Sequence, residues 1–405
     1  MMFLTSVSSY KSVLFTALVV SFTFFLAGCG GGSSDSPIPI TPDFTVSDLD
    51  GKASMHGISL GLQGSGDGNF KGWLDMTSGN IIGGYFANSK GLEAPLTGGS
   101  ISVKETGEFS GTAVAAGQYN YDVYSGKISQ SKDIFVWVDT SADVGTNDLS
   151  MAIKEGGTYA TSDLAGTWHM FGTSVNGGAF GGDSEGTLWG SYDINANGNM
   201  DGGSLSTSDD IDMSVVGGTL AMNSDGYING TVTVFAGQDF DVTFDSGKMD
   251  PSKNIMFITT QTEIGSSELM VLVKGGGTFS TADMEGKWYL HGVNMGGDFG
   301  GLAISGSLEQ DASGKVIDGD YSLVGEATGL QPIPATFTPG GTMALNASGE
   351  LSGSIDVTIH GTPQGDIHST ITIVSGKMAP SKNIVVFVVK TSIGQNALMI
   401  SIKGN

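Results

Sequence analysis

Few residues of this chain have the types and the spacing that catalysis requires. The run Gly182-Asp183-Ser184-Glu185-Gly186 fits the Gly-x-Ser-x-Gly pattern in which a serine can act as a nucleophile. Such a serine needs a strand before it and a helix after it, whereas this run lies in a loop between two predicted strands. We reject it as a catalytic site. The sequence offers no other catalytic set, so we expect a protein that is not an enzyme and needs no cofactor.

A second run has the composition of a metal site. Its side-chain oxygens have the spacing of the first part of a calcium-binding loop, and they belong to Asp193, Asn195, Asn197 and Asp201. The twelfth position of that loop is Ser204, where a bidentate glutamate would be expected. Because Asn and Gly also form tight turns without a metal, a plain hairpin turn is the favoured interpretation and calcium binding is the alternative.

The charge of the chain argues against nucleic acid as a partner. The formal net charge is −24 at pH 7, and all 17 basic residues are lysines. A nucleic-acid-binding protein would present a basic face. The acidic residues are spread through the chain, which is typical of a soluble exported protein.

The N-terminus predicts export and a lipid anchor. Lys11 precedes an apolar run that ends in Leu26-Ala27-Gly28-Cys29, and this run is too short for a membrane-spanning helix. Leu-Ala-Gly-Cys resembles the bacterial lipobox, which implies cleavage before Cys29 and acylation of its thiol and its new amino group. Residues 1–28 would then be a helical signal peptide, and residues 29–43, rich in Gly, Ser and Pro, a flexible tether. By the same resemblance Gly30, which is not an aspartate, favours the outer membrane.

The rest of the chain is a repeat. A segment that begins with an acidic turn recurs at Asp48, Asp163 and Asp283, a spacing of about 115 to 120 residues that predicts three copies of one domain. The predicted domains cover residues 44–157, 158–277 and 278–405.

Each copy predicts short strands and no helix of useful length. Turn-forming clusters cut the second copy into eight runs rich in Val, Ile, Thr, Phe and Tyr, from Gly166 to Lys274. We therefore predict an all-β protein made of three tandem eight-stranded antiparallel up-and-down β-barrels, because closure removes exposed sheet edges. A β-sandwich is the alternative. In the third copy, residues 325–339 form an insertion that predicts a longer loop.

The first two strands carry a resemblance. Gly166-Thr167-Trp168 and Gly286-Lys287-Trp288 are similar to the Gly-x-Trp start of the calycins, which include lipocalins, fatty-acid-binding proteins and avidins. Gly186-Thr187-Leu188-Trp189-Gly190-Ser191-Tyr192 looks like the second strand of avidins. The resemblance implies an eight-stranded barrel that can hold a small ligand. It does not imply biotin binding, because of the avidin ligand positions only Tyr192 matches convincingly.

Strand parity places the motif tryptophans inside the barrels. Trp168 and Trp288 share a face with apolar residues, so we expect each to plug one end of its barrel. In lipocalins a basic residue late in the last strand covers this tryptophan, which implies cation–π contacts from Lys274 to Trp168 and from Lys403 to Trp288. The first copy has Ala53 instead, so Lys154 is expected to lack such a contact.

Three aromatic residues are candidates for a ligand portal or a partner contact. Phe180 and Phe299 are each held between glycines in the loop after the first strand, where calycins carry the lid of the barrel. Tyr192 lies on the following strand. For the phenylalanines the favoured interpretation is that each folds back to close its own barrel, and a portal or partner contact is the alternative.

The seventh strands have no polar face. Residues 134–138, 255–258 and 384–389 are apolar on both sides, although a barrel strand that faces water should alternate. We therefore expect their outer faces to pack barrel on barrel or on a partner. His56 and His291, at equivalent positions of strand one, are also expected to face outward.

The sequence predicts a non-enzymatic binding module at the cell envelope, anchored in the outer membrane by lipid. A small apolar ligand inside one barrel, or an envelope protein, is the expected partner. The alternative is a structural or adhesive surface protein whose filled barrels act as spacers. The interior of the barrels distinguishes the two, because a ligand pocket needs a cavity of about 300 Å³ or more.

Overall fold

The computed structural model describes residues 44–61, 67–175, 185–263, 265–296, 301–325, 331–362 and 365–404. The predicted signal peptide and most of the tether, including Cys29, lie outside the described residues. Among the residues that are described, no helix is long and apolar enough to cross a membrane.

The first barrel follows a short 3-10 helix, Val46–Leu49. Its strands are β1 (Gly51–Gly61), β2 (Gly68–Thr77), β3 (Asn80–Asn88), β4 (Glu93–Val103), β5 (Glu108–Ala115), β6 (Tyr119–Ile128), β7 (Ile134–Ser141) and β8 (Thr146–Lys154). Each strand pairs with the next in the chain, and β8 pairs antiparallel with β1, so the barrel is closed.

The second barrel repeats this order after a 3-10 helix at Thr161–Leu164. Its strands are β9 (Gly166–Val175), β10 (Gly186–Ile194), β11 (Met200–Thr207), β12 (Asp212–Met222), β13 (Tyr227–Phe235), β14 (Asp239–Met249), β15 (Ile255–Thr262) and β16 (Ser267–Lys274). It too is closed, through the pairing of β16 with β9.

The third barrel, after a 3-10 helix at Thr281–Met284, has its fourth strand in two pieces. Its strands are β17 (Gly286–Met295), β18 (Leu302–Gln310), β19 (Val316–Gly325), β20 (Ile333–Phe337), β21 (Thr342–Leu345), β22 (Leu351–Thr362), β23 (Gly365–Met378), β24 (Ile384–Thr391) and β25 (Asn396–Lys403). Both β20 and β21 pair with β22, and β20 also pairs with β19, so the barrel closes around the break.

The prediction of an all-β chain with three eight-stranded antiparallel barrels is confirmed, and the β-sandwich alternative is wrong. The prediction of a loop across residues 325–339 is wrong at residues 333–337, which form β20. Pro339, followed by Gly340 and Gly341, instead marks the point where the fourth strand is interrupted, since proline has no N–H to give to a ladder.

The motif tryptophans plug the second and third barrels as predicted. Trp168 is fully buried, and its Nε1 donates at 2.7 Å to the carbonyl of Leu164, which is the last residue of the 3-10 helix. Lys274 Nζ donates to the Asp163 carbonyl at 2.9 Å and lies 5.2 Å from the Trp168 ring centre. The two side chains thereby satisfy carbonyls that the helix end leaves free.

The third barrel repeats the contact, with Lys403 Nζ 5.4 Å from the Trp288 ring centre, so both predicted cation–π contacts are confirmed. In the first barrel Lys154 takes another ring, that of Phe135, at 5.8 Å. The lysine at the end of the last strand thus contacts a ring on strand seven in the first barrel, whereas its counterparts in the other two barrels contact a ring on strand one.

A shared hydrophobic core holds the three barrels together. It is built from the outer faces of strands one, seven and eight of every barrel. Among its most buried members are Ile58, Val136 and Leu149 from the first barrel, Phe257, Val271 and Val273 from the second, and Val386, Leu398 and Ile400 from the third. This confirms that the apolar outer faces of the seventh strands pack barrel on barrel.

The barrels form a closed ring. β1 and β2 pack against β15 and β16, β9 and β10 against β24 and β25, and β17 and β18 against β7 and β8. Each barrel thus offers its first two strands to the last two strands of the next, a head-to-tail interface that closes after three copies. One chain therefore builds a pseudo-threefold assembly whose centre excludes water.

Candidate functional site

The interior of the first barrel contains a cavity of about 310 Å³. Apolar side chains make most of its wall, among them Phe70, Phe86, Phe109 and Trp137. At one end it is bounded by Leu49 of the 3-10 helix. At the other end it reaches Leu92 and Val144, which are 43% and 38% exposed, so the cavity meets solvent between the β3–β4 and β7–β8 turns.

Several interior side chains of the first barrel are smaller than their counterparts in the other barrels, and two of them, Ala113 and Ser150, line the cavity. Strand register makes four of its interior positions equivalent to bulkier residues elsewhere. These are Ala53 (Trp168 and Trp288), Ala94 (Met213), Ala113 (Val232 and Ile355) and Ser150 (Met270 and Met399). Each replacement removes side-chain volume, and a closed barrel cannot collapse to fill the loss because its backbone ladder fixes the diameter.

A glycine makes room for one of the aromatic rings of the wall, that of Phe70. A Cβ on Gly57 would stand 2.1 Å from the Phe70 ring. Gly57 pairs with Phe70 across β1 and β2, and the end of the Phe70 ring takes the space that a side chain at Gly57 would fill. The shape of the apolar wall therefore depends on one residue without a side chain.

Two carboxyl groups stand in this wall. Asp139 on β7 and Asp148 on β8 are directly opposite in the strand register, and both line the cavity. Ser150 Oγ donates to Asp139 Oδ2 at 2.9 Å, and Ser59 Oγ donates to Asp148 Oδ1 at 2.6 Å. The aspartates are 5% and 4% exposed, so both are held by the barrel in fixed positions.

Burial raises the pKa of both carboxyls. Desolvation is the main cause for each, and the charge of Asp139 raises the pKa of Asp148 further. The two side chains are also hydrogen-bonded to each other. Two carboxylates this close do not both ionise easily, so the pair resists carrying two negative charges unless a cation lies beside it.

The other barrels do not have this pair. The register places Thr260 and Glu268 at the equivalent positions of the second barrel, and Val389 and Ala397 at those of the third. Thr260 Oγ1 and Ser266 Oγ both donate to Glu268, which is 2% exposed. The same two positions thus hold a carboxyl pair in the first barrel, a glutamate bound by hydroxyl groups in the second and two apolar residues in the third.

Thr146, Lys90, Asn88 and the Tyr121 hydroxyl belong to the polar part of the lining as well. The Thr146 hydroxyl faces Asp148, yet it forms no well-aligned hydrogen bond with any described residue. It is 6% exposed and so remains able to bind a group inside the cavity. Lys90 lies in the turn between β3 and β4, at the rim.

The third barrel contains a smaller space of about 50 Å³. Asn294 lines it, is 2% exposed, and finds no hydrogen-bond partner for its amide among the described residues. Most of the other lining residues are apolar. The space is too small for an organic ligand.

Tyr192 lies in the core of the second barrel. It is fully buried, and its ring meets that of Phe244 edge-on with centres 6.1 Å apart. Burial raises the pKa of its hydroxyl. The placement does not agree with a portal or surface contact for Tyr192. The other two portal candidates, Phe180 and Phe299, lie outside the described residues.

The calcium candidates organise a turn. Asn195 Oδ1 accepts from the backbone N–H groups of Asn197 at 3.0 Å and Asn199 at 3.2 Å, and Asn195 Nδ2 donates to Asp201 Oδ1 at 2.8 Å. Asp193 Oδ1 accepts from Thr167 Oγ1 at 2.6 Å. Three of the four side chains named in the sequence are thus engaged within the hairpin and with β9. Calcium binding stays an untested alternative.

Within the described ranges, no three His, Cys, Asp or Glu side chains meet as a metal site. His56 and His291 face outward from their barrels, as predicted, but are buried in the ring interfaces. His360 pairs with Asp366 at 3.1 Å, and His368 Nδ1 lies 3.0 Å from Thr358 Oγ1.

Sequence reasoning did not identify the cavity or its carboxyl pair. A signal was present, because Asp139 directly follows the apolar run of the seventh strand and Asp148 lies near the start of the last one. Only the register between β7 and β8 brings them together. Ala53 was recognised as a divergence, but the small residues that line the cavity, Ala113 and Ser150, lie on other strands.

Comparisons with known proteins give a fold context only. No protein-family model matches the chain, and no curated protein matches it either. Among solved structures, transferrin binding protein B of Haemophilus parasuis is 8% identical, with a TM-score of 0.27 over 87% of this chain and 76% of that one. The Neisseria meningitidis protein is 9% identical, with a TM-score of 0.25 over 88% and 77%. A Nostoc punctiforme protein of unknown function is 11% identical, with a TM-score of 0.22 over 56% of this chain and 97% of that one.

Scores this low do not establish a shared fold over the whole chain. The architecture described above therefore rests on the strand pairing of the chain itself. The strand pairing and the cavity define a protein of three barrels whose first barrel is hollow.

Proposed function

We propose that this chain is a non-enzymatic binding protein of the cell envelope, which holds a small, mainly apolar ligand inside the first barrel. The observation that carries the proposal is the cavity of about 310 Å³. Its size lies within the range of small-molecule sites, and its wall combines an apolar surface with a few placed polar groups, which is typical of such sites. In the second barrel, by contrast, Trp168, Tyr192 and Phe244 occupy the interior.

The filled barrels have a supporting role in this proposal. They cover the apolar outer faces of β1, β7 and β8, which the hollow barrel alone would expose to water. A barrel that lacks part of its interior packing loses stability, since cavities cost free energy. The shared core offsets that loss from outside.

The experiment compares the full chain with a variant whose cavity is filled. Ala113→Ile and Ser150→Met introduce residues that other barrels have at these positions. As a matched control, Ala87→Ile and Ser110→Met add the same groups at positions that point away from the interior. Binding is measured by fluorescence titration with N-phenyl-1-naphthylamine, an uncharged apolar probe.

We expect saturable binding of one probe per chain to the wild type and to the control, and loss of that binding in the filled variant. Native mass spectrometry of the same three proteins should show a co-purified small molecule in the first two. Equal probe binding by the filled variant and the control would exclude the cavity as the site.

The envelope location in this proposal rests on the resemblance of Leu26-Ala27-Gly28-Cys29 to the bacterial lipobox. Metabolic labelling with an alkyne analogue of palmitate should modify the wild type and not Cys29→Ser, and fractionation should place the labelled protein in the outer membrane. An unlabelled wild type would contradict the anchor but would leave the ligand site unaffected.

A further inference from the structure

We propose that the ligand of the first barrel is an amphiphile with an apolar body and one protonated amine, and that Asp139 and Asp148 hold its ammonium group. This inference rests on the proposed binding function of the same cavity and adds the chemical class of the ligand. It is carried by the position, the hydrogen bonding and the charge of the two carboxyls.

The carboxyls are aimed at the ligand space. Both line the cavity, and each has one oxygen fixed by a serine hydroxyl, from Ser150 and Ser59. Carboxylate oxygens accept hydrogen bonds and an ionised pair offers several lone pairs beyond those used by the serines. Thr146 adds a hydroxyl that has no well-aligned partner among the described residues. A group with several N–H donors matches this set.

The negative charge of the two carboxyls favours a positively charged ligand. The groups that act most directly on the two carboxyls are each other and neighbouring neutral donors, namely Ser59, Thr146, Ser150 and Trp137. The cavity lysine, Lys90, lies at the rim. A buried negative charge without a paired cation costs free energy, and an entering ammonium group supplies that cation. A carboxylate ligand would instead add a like charge.

The rest of the wall suits the body of such a ligand. Phe70, Phe86, Phe109 and Trp137 present rings to the cavity. Aromatic faces bury alkyl or aryl groups and also attract an ammonium group that lies over them. The net charge of −24 adds a field that favours the approach of cations.

The residues at the positions of Asp139 and Asp148 differ among the three barrels, and the difference fits a role in ligand binding. A structural need for two acids at this point of the fold would apply to all three barrels. The second barrel has Thr260 with Glu268 and the third has Val389 with Ala397, and both barrels close around these residues. The pair is therefore a property of the hollow barrel rather than of the barrel fold.

The test uses isothermal titration calorimetry on the full chain at pH 7.5 with three probes of one chain length. Octylamine, 1-octanol and octanoate share an alkyl body and differ in the charge of the head. We expect octylamine to bind the wild type at least about tenfold more tightly than 1-octanol, as a well-formed charged hydrogen bond allows. Octanoate should bind most weakly.

Asp139→Asn with Asp148→Asn should remove the preference for octylamine and leave the affinity for 1-octanol within about threefold, since the apolar wall is unchanged. The control, Asp122→Asn with Glu105→Gln, changes the net charge equally at exposed positions and should retain the preference. If the Asn pair does not fold, Asp139→Val with Asp148→Ala reproduces the residues of the third barrel and gives the same test.

Two results would overturn the inference and spare the binding function. One is equal affinity of the wild type for octylamine and 1-octanol, and the other is a preference that survives in the Asn and Val/Ala variants. If none of the three probes binds the wild type, the proposed function fails together with the inference.

Discussion

His56 of the first barrel lies with its Nε2 3.2 Å from Ser246 Oγ of the second barrel, and the histidine is fully buried between them. The ring repeats this contact once, with Ser125 Oγ 3.4 Å from His291 Nε2. At the remaining interface the equivalent residue is Phe171, which belongs to the shared core. Two of the three interfaces therefore contain a titratable group where the third has a hydrocarbon ring.

These histidines should make the assembly sensitive to acid. Burial, reinforced by nearby lysines, lowers the pKa of His56 to about 3, and burial does the same for His291. The unfolded chain binds protons from about pH 6.5 downward while the folded one does not, so each histidine costs about 1.4 kcal/mol of stability per pH unit in that window. His56→Phe with His291→Phe should reduce the loss of stability between pH 6.5 and pH 4.5.

Urea unfolding at both pH values measures this effect. The control is His360→Asn, which removes the histidine of the partly exposed His360–Asp366 pair. An unchanged loss in the double phenylalanine variant would show that other groups dominate the acid response.

A second titratable contact joins the first two barrels and should act in the opposite direction. The Glu185 carboxyl is hydrogen-bonded to that of Asp67, and desolvation together with this neighbour raises the pKa of Glu185 to about 7. The folded state then retains a proton that the unfolded state loses above about pH 4.5, so stability falls as the pH rises from about 4.5 to 7.

Glu185→Gln keeps a hydrogen-bonding group without the charge. We expect its melting temperature to fall less than that of the wild type between pH 5 and pH 7.5, by differential scanning calorimetry. Glu309→Gln, at an exposed position of the third barrel, is the control. If the two variants respond alike, the carboxyl contact contributes nothing to the pH profile.

The shared core predicts that the same two substitutions will improve the solubility of an isolated second barrel and destabilise the full chain. Phe257 and Val271 are buried by neighbouring barrels in the full chain. In a fragment of residues 158–277 they would form part of an exposed apolar patch. Phe257→Ser with Val271→Ser should therefore improve the solubility of the fragment and reduce its binding of an apolar dye, yet destabilise the full chain.

Analytical ultracentrifugation and dye titration of the fragment, and urea unfolding of the full chain, give the two measurements. A wild-type fragment that is monomeric and binds no dye would contradict the assignment of these faces to the ring.

The sequence was sufficient to predict features that depend on one strand at a time. Strand parity placed Trp168 and Trp288 inside, and an unbroken apolar run at residues 384–389 predicted a strand covered on both faces. These patterns are local because side chains alternate with a period of two.

What could not be predicted depends on register between strands. Asp139 and Asp148 become a pair only through the β7–β8 ladder, and Ala113 and Ser150, from two other parts of the barrel wall, line the same cavity. The sequence also left open whether the seventh strands meet one another or a partner. That choice depends on the ring as a whole, which no single repeat encodes.

The plugging tryptophans allow burial to be separated from the cation–π contact. Trp168 is fully buried under Lys274, whereas Trp73 of the first barrel is half-buried with Lys52 Nζ 4.5 Å from its ring centre. Trp168→Ala leaves a large void and should cost about 3–5 kcal/mol. Trp73→Ala loses an exposed contact worth about 0.5–1 kcal/mol and some partial burial, so its cost should be clearly smaller.

Urea unfolding of the full chain gives both values, and the probe titration adds a second readout. Trp168→Ala reproduces in the second barrel the residue that the first barrel has at Ala53, so the new space near Leu164 should bind N-phenyl-1-naphthylamine if the barrel stays closed. Equal costs for the two substitutions would mean that the lysine contact, rather than the filling of the barrel end, accounts for the role of Trp168. A large cost for Trp168→Ala alone, with a gain of probe binding, would show that one side chain separates a filled barrel from a hollow one.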